Sequence, residues 1–377
     1  YILPMNDFNE KLEGTNQELK CHQCGAVLKF KAGTTSLSCE YCGAHNEIEI
    51  KSDVPIEEID YVDFINNKLK DEAKQEVSTV KCTSCGATTT MKPNVTSDQC
   101  PFCGTSLVLN SGTTSSQLKP RSLLPFKIDQ KQAMELFGKW VKKLWFAPNK
   151  LKKFIHSIDR LVGMYIPYWT YDSDTYSHYT GERGTYYYVT ETYTTTENGR
   201  SVTKTRQVRK IRWTHVSGNV SHWFDDVLVP ASNTLPKKYV VKLEPWDTQN
   251  LVPFDERFLS GYKAESYQID LKQGFEEAKS IMDVTIRQLI RNHIGGDEQR
   301  IHTVDTKYSR ITFKHVLFPL YISAYQFRNK VYRFLVNART GEVQGERPYS
   351  FWKIFFFVLA ILAVIAGLVF LYYKYGQ

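Results

Sequence analysis

The sequence lacks the motifs on which most catalytic mechanisms depend. No G-x-x-x-x-G-K-[ST] run is present, so no P-loop cradles a triphosphate and ATP-driven work has no site. H-E-x-x-H and G-x-S-x-G are absent too, which removes two hydrolytic chemistries. No cysteine stands outside a CxxC pair, leaving the scattered histidines no thiol to activate. None of those pairs is followed by histidine, which excludes c-type haem attachment. The closely spaced cysteine triplet usual for iron–sulfur clusters is also missing. A net charge of +8 over 377 residues is mild, so the chain as a whole is no polycation. No signal peptide precedes the first cysteine, so an oxidised disulfide framework is not expected. The chain opens at Tyr1, and Met5 is a candidate natural start. The best acidic pair, Asp225-Asp226 with His215 and His222 nearby, would point to opposite faces of a strand. A turn or cap role suits it better than acid–base work, and no enzyme is expected.

What is present begins with the cysteines. Cys21, Cys24, Cys39, Cys42, Cys82, Cys85, Cys100 and Cys103 form four CxxC pairs, grouped as two similar halves. A CxxC turn holds two thiolates at the spacing a tetrahedral Zn2+ requires, with Zn–S near 2.3 Å. Glycine follows each pair (Gly25, Gly43, Gly86, Gly104), where positive φ lets backbone N–H groups turn toward the sulfurs. The pattern predicts two four-cysteine zinc ribbons with one ion each. Four sulfurs close such a site, so His22 and His45 are bystanders and the metal is structural rather than hydrolytic.

At the other end, Ile354 to Tyr373 carries neither charge nor proline. At 1.5 Å per residue it covers about 30 Å, the thickness of a bilayer's hydrocarbon core. Tyr349 and Trp352 before it, and Tyr372, Tyr373 and Tyr375 at its end, have the character of interfacial aromatic belts. The reading is a single-pass tail anchor. Arg347 and Lys353 before the span against Lys374 after it favour the bulk of the chain on the cytoplasmic side, where thiolates stay reduced.

Between these ends the expected class is α+β. The segments are zinc ribbon 1 over 16–50, an acidic, partly helical connector over 51–79, zinc ribbon 2 over 80–110, a β-rich α+β domain over 120–348, and the transmembrane segment over 351–373. The connector region through residue 80 carries eight acids against four lysines, as a solvated segment would. Asn110 to Pro120 reads as a loop of turn formers. Two helices announce themselves by capping boxes, Asp129 with Gln132 and Asp270 with Gln273. Their apolar stripes are Ala133, Phe137, Trp140, Val141 and Leu144, and Phe275, Ala278, Met282, Ile286 and Leu289. Gly295-Gly296 stops the second. Hairpin turns are expected at Asn198-Gly199, at Asn329 and near Gly341.

Two basic stretches remain as binding surfaces. Gly138 to Lys153 holds six lysines, Lys142 and Lys143 among them, and no acid. Arg200 to Trp213 holds six basic residues, including Arg206, Arg209, Lys210 and Arg212, opposite a tyrosine-rich strand. Nucleic acid uses such interleaving, anionic lipid takes the same charges, and a solvated strand face explains them equally well.

The phrases from Val162 to Tyr187, Asp225 to Ser232 and Tyr332 to Ser350 resemble a bacterial family. Its members are tail-anchored membrane proteins with TFIIB-type zinc ribbons, associated with phage-shock operons and sometimes labelled primosomal or helicase-like. The resemblance implies a cytoplasmic membrane platform in envelope stress. Its implied partners are phage-shock protein A-like or SPFH/flotillin-like proteins. The first reading is therefore an adaptor, with the ribbons as a docking arm far from the anchor. The alternative is a membrane-tethered nucleic-acid binder using the ribbons and residues 200–213. A zinc or redox sensor, with exposed labile thiolates, is a third.

Overall fold

The structure is a computed structural model that describes residues 19–49, 56–68, 74–84, 86–90, 97–102, 105–108, 113–149, 151, 161–197, 199–327 and 330–375. It is mixed α+β and strand-rich. One large sheet organises it. Its strands are β1 (Ser122–Leu123), β2 (Val162–Glu197), β3 (Arg200–Pro230), β4 (Val252–Pro253), β5 (Lys263–Ala264), β6 (Glu298–Phe327), β7 (Lys330–Asn337) and β8 (Val343–Gly345), with the short strand Ile59–Asp60 as a ninth. The main path runs β3-β2-β6-β1-β4; β7 pairs with β6, β8 with β7, and β5 runs parallel to β2.

The environment of β2 changes along its length, and its sequence changes with it. From Met164 to Ser173 every residue is buried, because both faces are covered. Met164, Ile166 and Tyr168 enter one apolar cluster, Tyr165 a second, and Trp169 and Tyr171 a third. That double cover accounts for the unbroken apolar run from Met164 to Trp169. Beyond Ser173 exposed and buried positions alternate, as expected of a sheet covered on one side. Past Gly184, which pairs with the first residue of β6, β2 and β3 continue as a two-stranded ribbon in which no described residue is buried. Residues Thr185 to Glu197 pair with Arg200 to Arg212, a projection of about 40 Å at the usual strand rise.

Both capped helices form where expected. α1 (Gln130–Lys143) has its full capping box at Asp129, and α2 (Leu271–Ile294) has its own at Asp270. On α2 the buried stripe runs Phe275, Ala278, Met282, Ile286, Ile290, Ile294. Leu289 is only half-buried, because the helical period carries the stripe past it to Ile290. Gly295 takes φ 64° just after the last turn, as a helix stop requires. Turns at Gly199 (φ 77°) and Gly341 (φ 81°) join β2 to β3 and β7 to β8. Register pairing Phe327 with Lys330 brackets the third hairpin; Asn198 and Asn329 themselves lie outside the described residues.

Three expectations are corrected. Thr113–Leu118 is a strand, not a loop, paired with Lys74–Lys81; this long-range pairing overrides weak local preference. The connector is docked rather than solvated: Ile59–Asp60 pairs with β6 and Phe64 is fully buried against Phe313. A short helical stretch from Tyr61 to Lys68 follows. Nor do the cysteine units form a separate arm. Phe30 N–H donates to Ser260 O (3.0 Å), Gly33 N–H to Phe126 O (2.8 Å), and Ser260 Oγ–H to Leu28 O (2.5 Å). Phe30 packs on Phe258 with ring centroids 5.0 Å apart. In the second unit, Val80, Ala87, Phe102 and Leu107 share a buried cluster with Ile166, Trp246 and Val316. Apolar residues too few to make a core alone are buried against the sheet instead.

Candidate metal centre and basic surfaces

In the first cysteine unit the hairpin strands Lys29–Phe30, Ser36–Ser38 and His45–Glu47 form a three-stranded sheet that sets the two CxxC turns beside each other. In each turn the chain folds back identically. Gly25 N–H donates to Cys21 O (2.8 Å) and Gly43 N–H to Cys39 O (3.0 Å), with φ of 71° and 74° at the two glycines. The four Sγ atoms lie within 4.8 Å of one another, with Cys21–Cys42 at 3.5 Å and Cys24–Cys39 at 3.4 Å. Disulfides need about 2.05 Å; tetrahedral Zn–S geometry needs an edge of roughly 3.8 Å. The sulfurs therefore fit a metal ion. The Cys42 backbone N–H, with that of Tyr41, holds the Cys39 thiol down to about 6 against the opposing effect of burial, and Cys21 is lowered as well, whereas Cys24 and Cys42, hydrogen-bonded to the neighbouring sulfurs, are raised. His22 and His45 are exposed and outside the sulfur cluster.

The second unit repeats the backbone device where it is described. Cys82 N–H donates to Ala87 O (2.7 Å), Gly86 N–H to Cys82 O (2.8 Å), and Cys100 N–H to Thr105 O (2.8 Å). Cys82 and Cys100 are buried. Cys85, Cys103 and Gly104 lie outside the described residues. This unit is bound to the large sheet by Lys263 Nζ, which donates to Asp98 Oδ2 (2.8 Å) and Gln99 O (3.0 Å), and by a bridge between Thr89 and Glu265. Glu265 is buried. Ser232 donates to it at 2.8 Å and Gln268 at 3.0 Å, and Thr234 donates as well. Burial nonetheless pushes its carboxyl up to about 7.

No family model matches the chain, and no solved structure matches it. The chain is similar to YdjG of Bacillus subtilis (strain 168), an uncharacterized protein, at 28% identity over 361 residues, 94% of this chain and 96% of that one.

The two basic stretches lie in different surroundings. Lys142 and Lys143 end α1, separated only by Leu144 from Trp145, which is 72% exposed. The third long helix, α3 (Phe351–Tyr375), starts against this segment. Lys353 Nζ donates to Ala147 O (2.8 Å) and Asn149 Oδ1 (2.9 Å), Ser350 N–H donates to Phe146 O (2.8 Å), and Phe146 packs on Phe357 with centroids 5.2 Å apart. α3 has no buried residue and a mean hydropathy of 3.2 over its most apolar window, enough by length and composition to cross a bilayer. Sequence reasoning missed Trp145 and Phe146 as part of this collar; an aromatic pair one residue beyond two lysines was the available signal. Lys150, Lys152 and Lys153 lie outside the described residues.

Arg206, Lys210 and Arg212 are on the ribbon of β2 and β3, on one face, with Tyr187 and Tyr193. Arg209 lies on the other, its guanidinium 4.2 Å from the Tyr186 ring. Strand alternation, legible in the sequence, separates it from its neighbours. Glu191 takes Lys210 (3.1 Å) and Arg206 (3.4 Å), and Arg212 leans over Tyr187. Much of the charge on this face is thus engaged within the ribbon.

The acidic pair has neither a turn nor a cap role. Asp225 and Asp226 together oppose Asp172 at a β-bulge, and Asp226 has φ 50°. Asp226 N–H donates to Asp172 Oδ1 (2.6 Å), and Lys314 Nζ lies 2.8 Å from Asp226 and 3.2 Å from Glu58. This is a charge cluster between strands and connector, with Asp172 fully buried. His222 packs on Phe224 (4.6 Å).

Proposed function

We propose that the protein is a non-enzymatic scaffold anchored in a membrane by α3, braced by two zinc ribbons, and recruiting a protein partner through its projecting β-ribbon. The observation that carries this reading is the pairing of an unburied two-stranded ribbon with an apolar helix that has no buried residue. α3 starts beside α1, which packs on β7 through Phe137 and Phe334 (4.9 Å). Leu335 of β7 pairs with Ile322, which pairs with Val162 at the start of β2. The ribbon's tip is the other end of that strand. This arrangement supports the reading of the ribbon as a recognition element held away from an anchoring surface.

Zn2+ suits the thiolate set. Cys21, Cys24, Cys39 and Cys42 would hold one ion, and Cys82, Cys85, Cys100 and Cys103 a second. Each would supply folding free energy rather than chemistry. The bilayer is the partner of α3, with Lys142, Lys143 and Trp145 at its headgroups, and the charge balance about the span favours a cytoplasmic bulk. By resemblance, the protein partner is of the phage-shock protein A or SPFH kind, in envelope stress. A nucleic-acid role has one supporting feature, since a two-stranded ribbon fits a major groove. Glu191 amid the cations disfavours it.

The test is a pull-down of the detergent-solubilised full chain at low and moderate salt, with and without nuclease. A charge-reversed variant, Arg206→Glu with Lys210→Glu and Arg212→Glu, is run in parallel. A protein retained through salt and nuclease but lost with charge reversal supports the scaffold. Recovery of nucleic acid that falls steeply with salt overturns it.

A further inference from the structure

Glu182 on β2, His215 on β3 and His302 on β6 converge on one patch of the sheet, each offering a ligand atom within 4.8 Å of the others. Sequence separation hides the group completely; register creates it. Glu182 is paired directly with His215 across β2 and β3, so their side chains share a face. On the other side of β2, register shifts between Thr180 and Gly181, opposite Thr303 and Ile301. His302 is therefore the extra residue of a β-bulge, the device by which a strand re-aims one side chain. It brings His302 Nε2 to 3.6 Å from Glu182 Oε2.

We propose that Glu182, His215 and His302 form a binding site for a divalent transition-metal ion of the zinc class, separate from the cysteine centres. Two imidazoles and one carboxylate are a donor set suited to borderline ions, Zn2+, Ni2+ and Cu2+ above Mg2+ or Ca2+. Three protein ligands leave coordination positions open to solvent, and both histidines are exposed.

The surroundings leave these groups available. α2 covers the opposite face, where Tyr179 OH meets His293 Nδ1 (3.1 Å) and Arg183 Nε donates to Ile294 O (2.6 Å). The competing cation is Arg300, at 3.6 Å from Glu182, longer than the 2.7–2.9 Å of a committed charge-assisted bond. Its guanidinium instead sits 3.8 Å from the Trp213 ring centroid. Glu182 can turn to a metal while Arg300 keeps its aromatic partner. The site lies near the first residues of β6, where the two-stranded ribbon leaves the sheet, so a bound ion would tie all three strands together at the ribbon's root.

The experiment is equilibrium dialysis of the full chain in detergent against Zn2+, with bound metal counted by elemental analysis. Wild type is compared with His215→Ala/His302→Ala, with Glu182→Gln, and with the control His178→Ala/His222→Ala. Cu2+ paramagnetic resonance is read on the same proteins. One equivalent should disappear in the double variant while the cysteine-bound metal stays. Glu182→Gln should weaken that equivalent about tenfold or more, and the control should keep it. The Cu2+ spectrum should show coupling to two imidazole nitrogens that the double variant loses. An equal metal count in wild type and double variant, or a Cu2+ spectrum indifferent to these histidines, would overturn the site. Glu182→Gln retains the side chain's size while removing its charge, so it reads the site even if the double variant folds poorly.

Discussion

Ser260 donates its hydroxyl to the carbonyl of Leu28, 2.5 Å away across 232 positions of sequence. With Phe30 N–H returning to Ser260 O, the two residues fasten the first cysteine unit to the large sheet, so neither should melt alone. Cys21→Ser with Cys39→Ser, or exhaustive chelation, is expected to lower the melting temperature of the whole sheet domain. Freeing Phe30 from Phe258 alone forfeits about 1.5–3 kcal/mol, the worth of one buried aromatic side chain. Thermal unfolding followed by tryptophan fluorescence reads it. A separate early transition with the main one unmoved would refute the coupling.

Lys314 is the cation of a largely buried acid cluster. Lys314→Ala should cost about 3–5 kcal/mol, the usual penalty for leaving buried charge uncompensated. Adding Asp226→Asn to that variant should recover part of the loss. Urea denaturation of the single and double variants decides it, and simple additivity would mean that the residues are not coupled.

Glu265 makes stability depend on pH in an unusual direction for a carboxylate. Its folded value, about 7, lies above the ordinary 4.5, so the native state holds its proton longer than the unfolded chain. The stabilisation is complete below about 4.5 and is lost as pH rises through 7, with a full span of about 3 kcal/mol. Glu265→Gln should melt higher than wild type at pH 8 and close to it, or slightly lower, at pH 5. Parallel melting curves with the same offset at both pH values would argue against this assignment.

Lys353 closes the joint between α3 and the α1 collar. Removing its bonds to Ala147 and Asn149 by Lys353→Ala should cost about 1.5–3 kcal/mol locally. Trypsin cleavage at Lys142 or Lys143 in proteoliposomes should then quicken by roughly tenfold or more, in proportion to local opening. Cleavage at the wild-type rate would show that the joint is held by the aromatic contacts alone.

Features carried by short-range chemistry were legible in the sequence. Asp129 and Asp270 announce their helices because a cap and its partner are three residues apart. The CxxC-Gly turns announce themselves for the same reason. The split of Arg209 from Arg206, Lys210 and Arg212 was also available, from alternation alone. What could not be read depends on partners far along the chain. Thr113–Leu118 looks like a loop until Lys74–Lys81 is placed beside it. Asp172 looks like any acid in a polar stretch until a bulge sets Asp226 against it and Lys314 arrives from a third strand. His302 is ordinary until one extra residue in β6 turns it toward Glu182.

The apolar cluster containing Cys21 also contains Val343, which has a bearing on the order of events during synthesis. A ribosome releases the cysteine unit well before Val343 and the other residues that complete its packing. Until then Leu28, Phe30 and Leu37 have no permanent cover, and early metal capture would be the means of keeping that unit from aggregating. Val343 emerges shortly before α3 begins at Phe351. Closure of the core and release of the apolar helix therefore fall in the same brief interval, and a cell that slows the first is expected to leave the second exposed for longer.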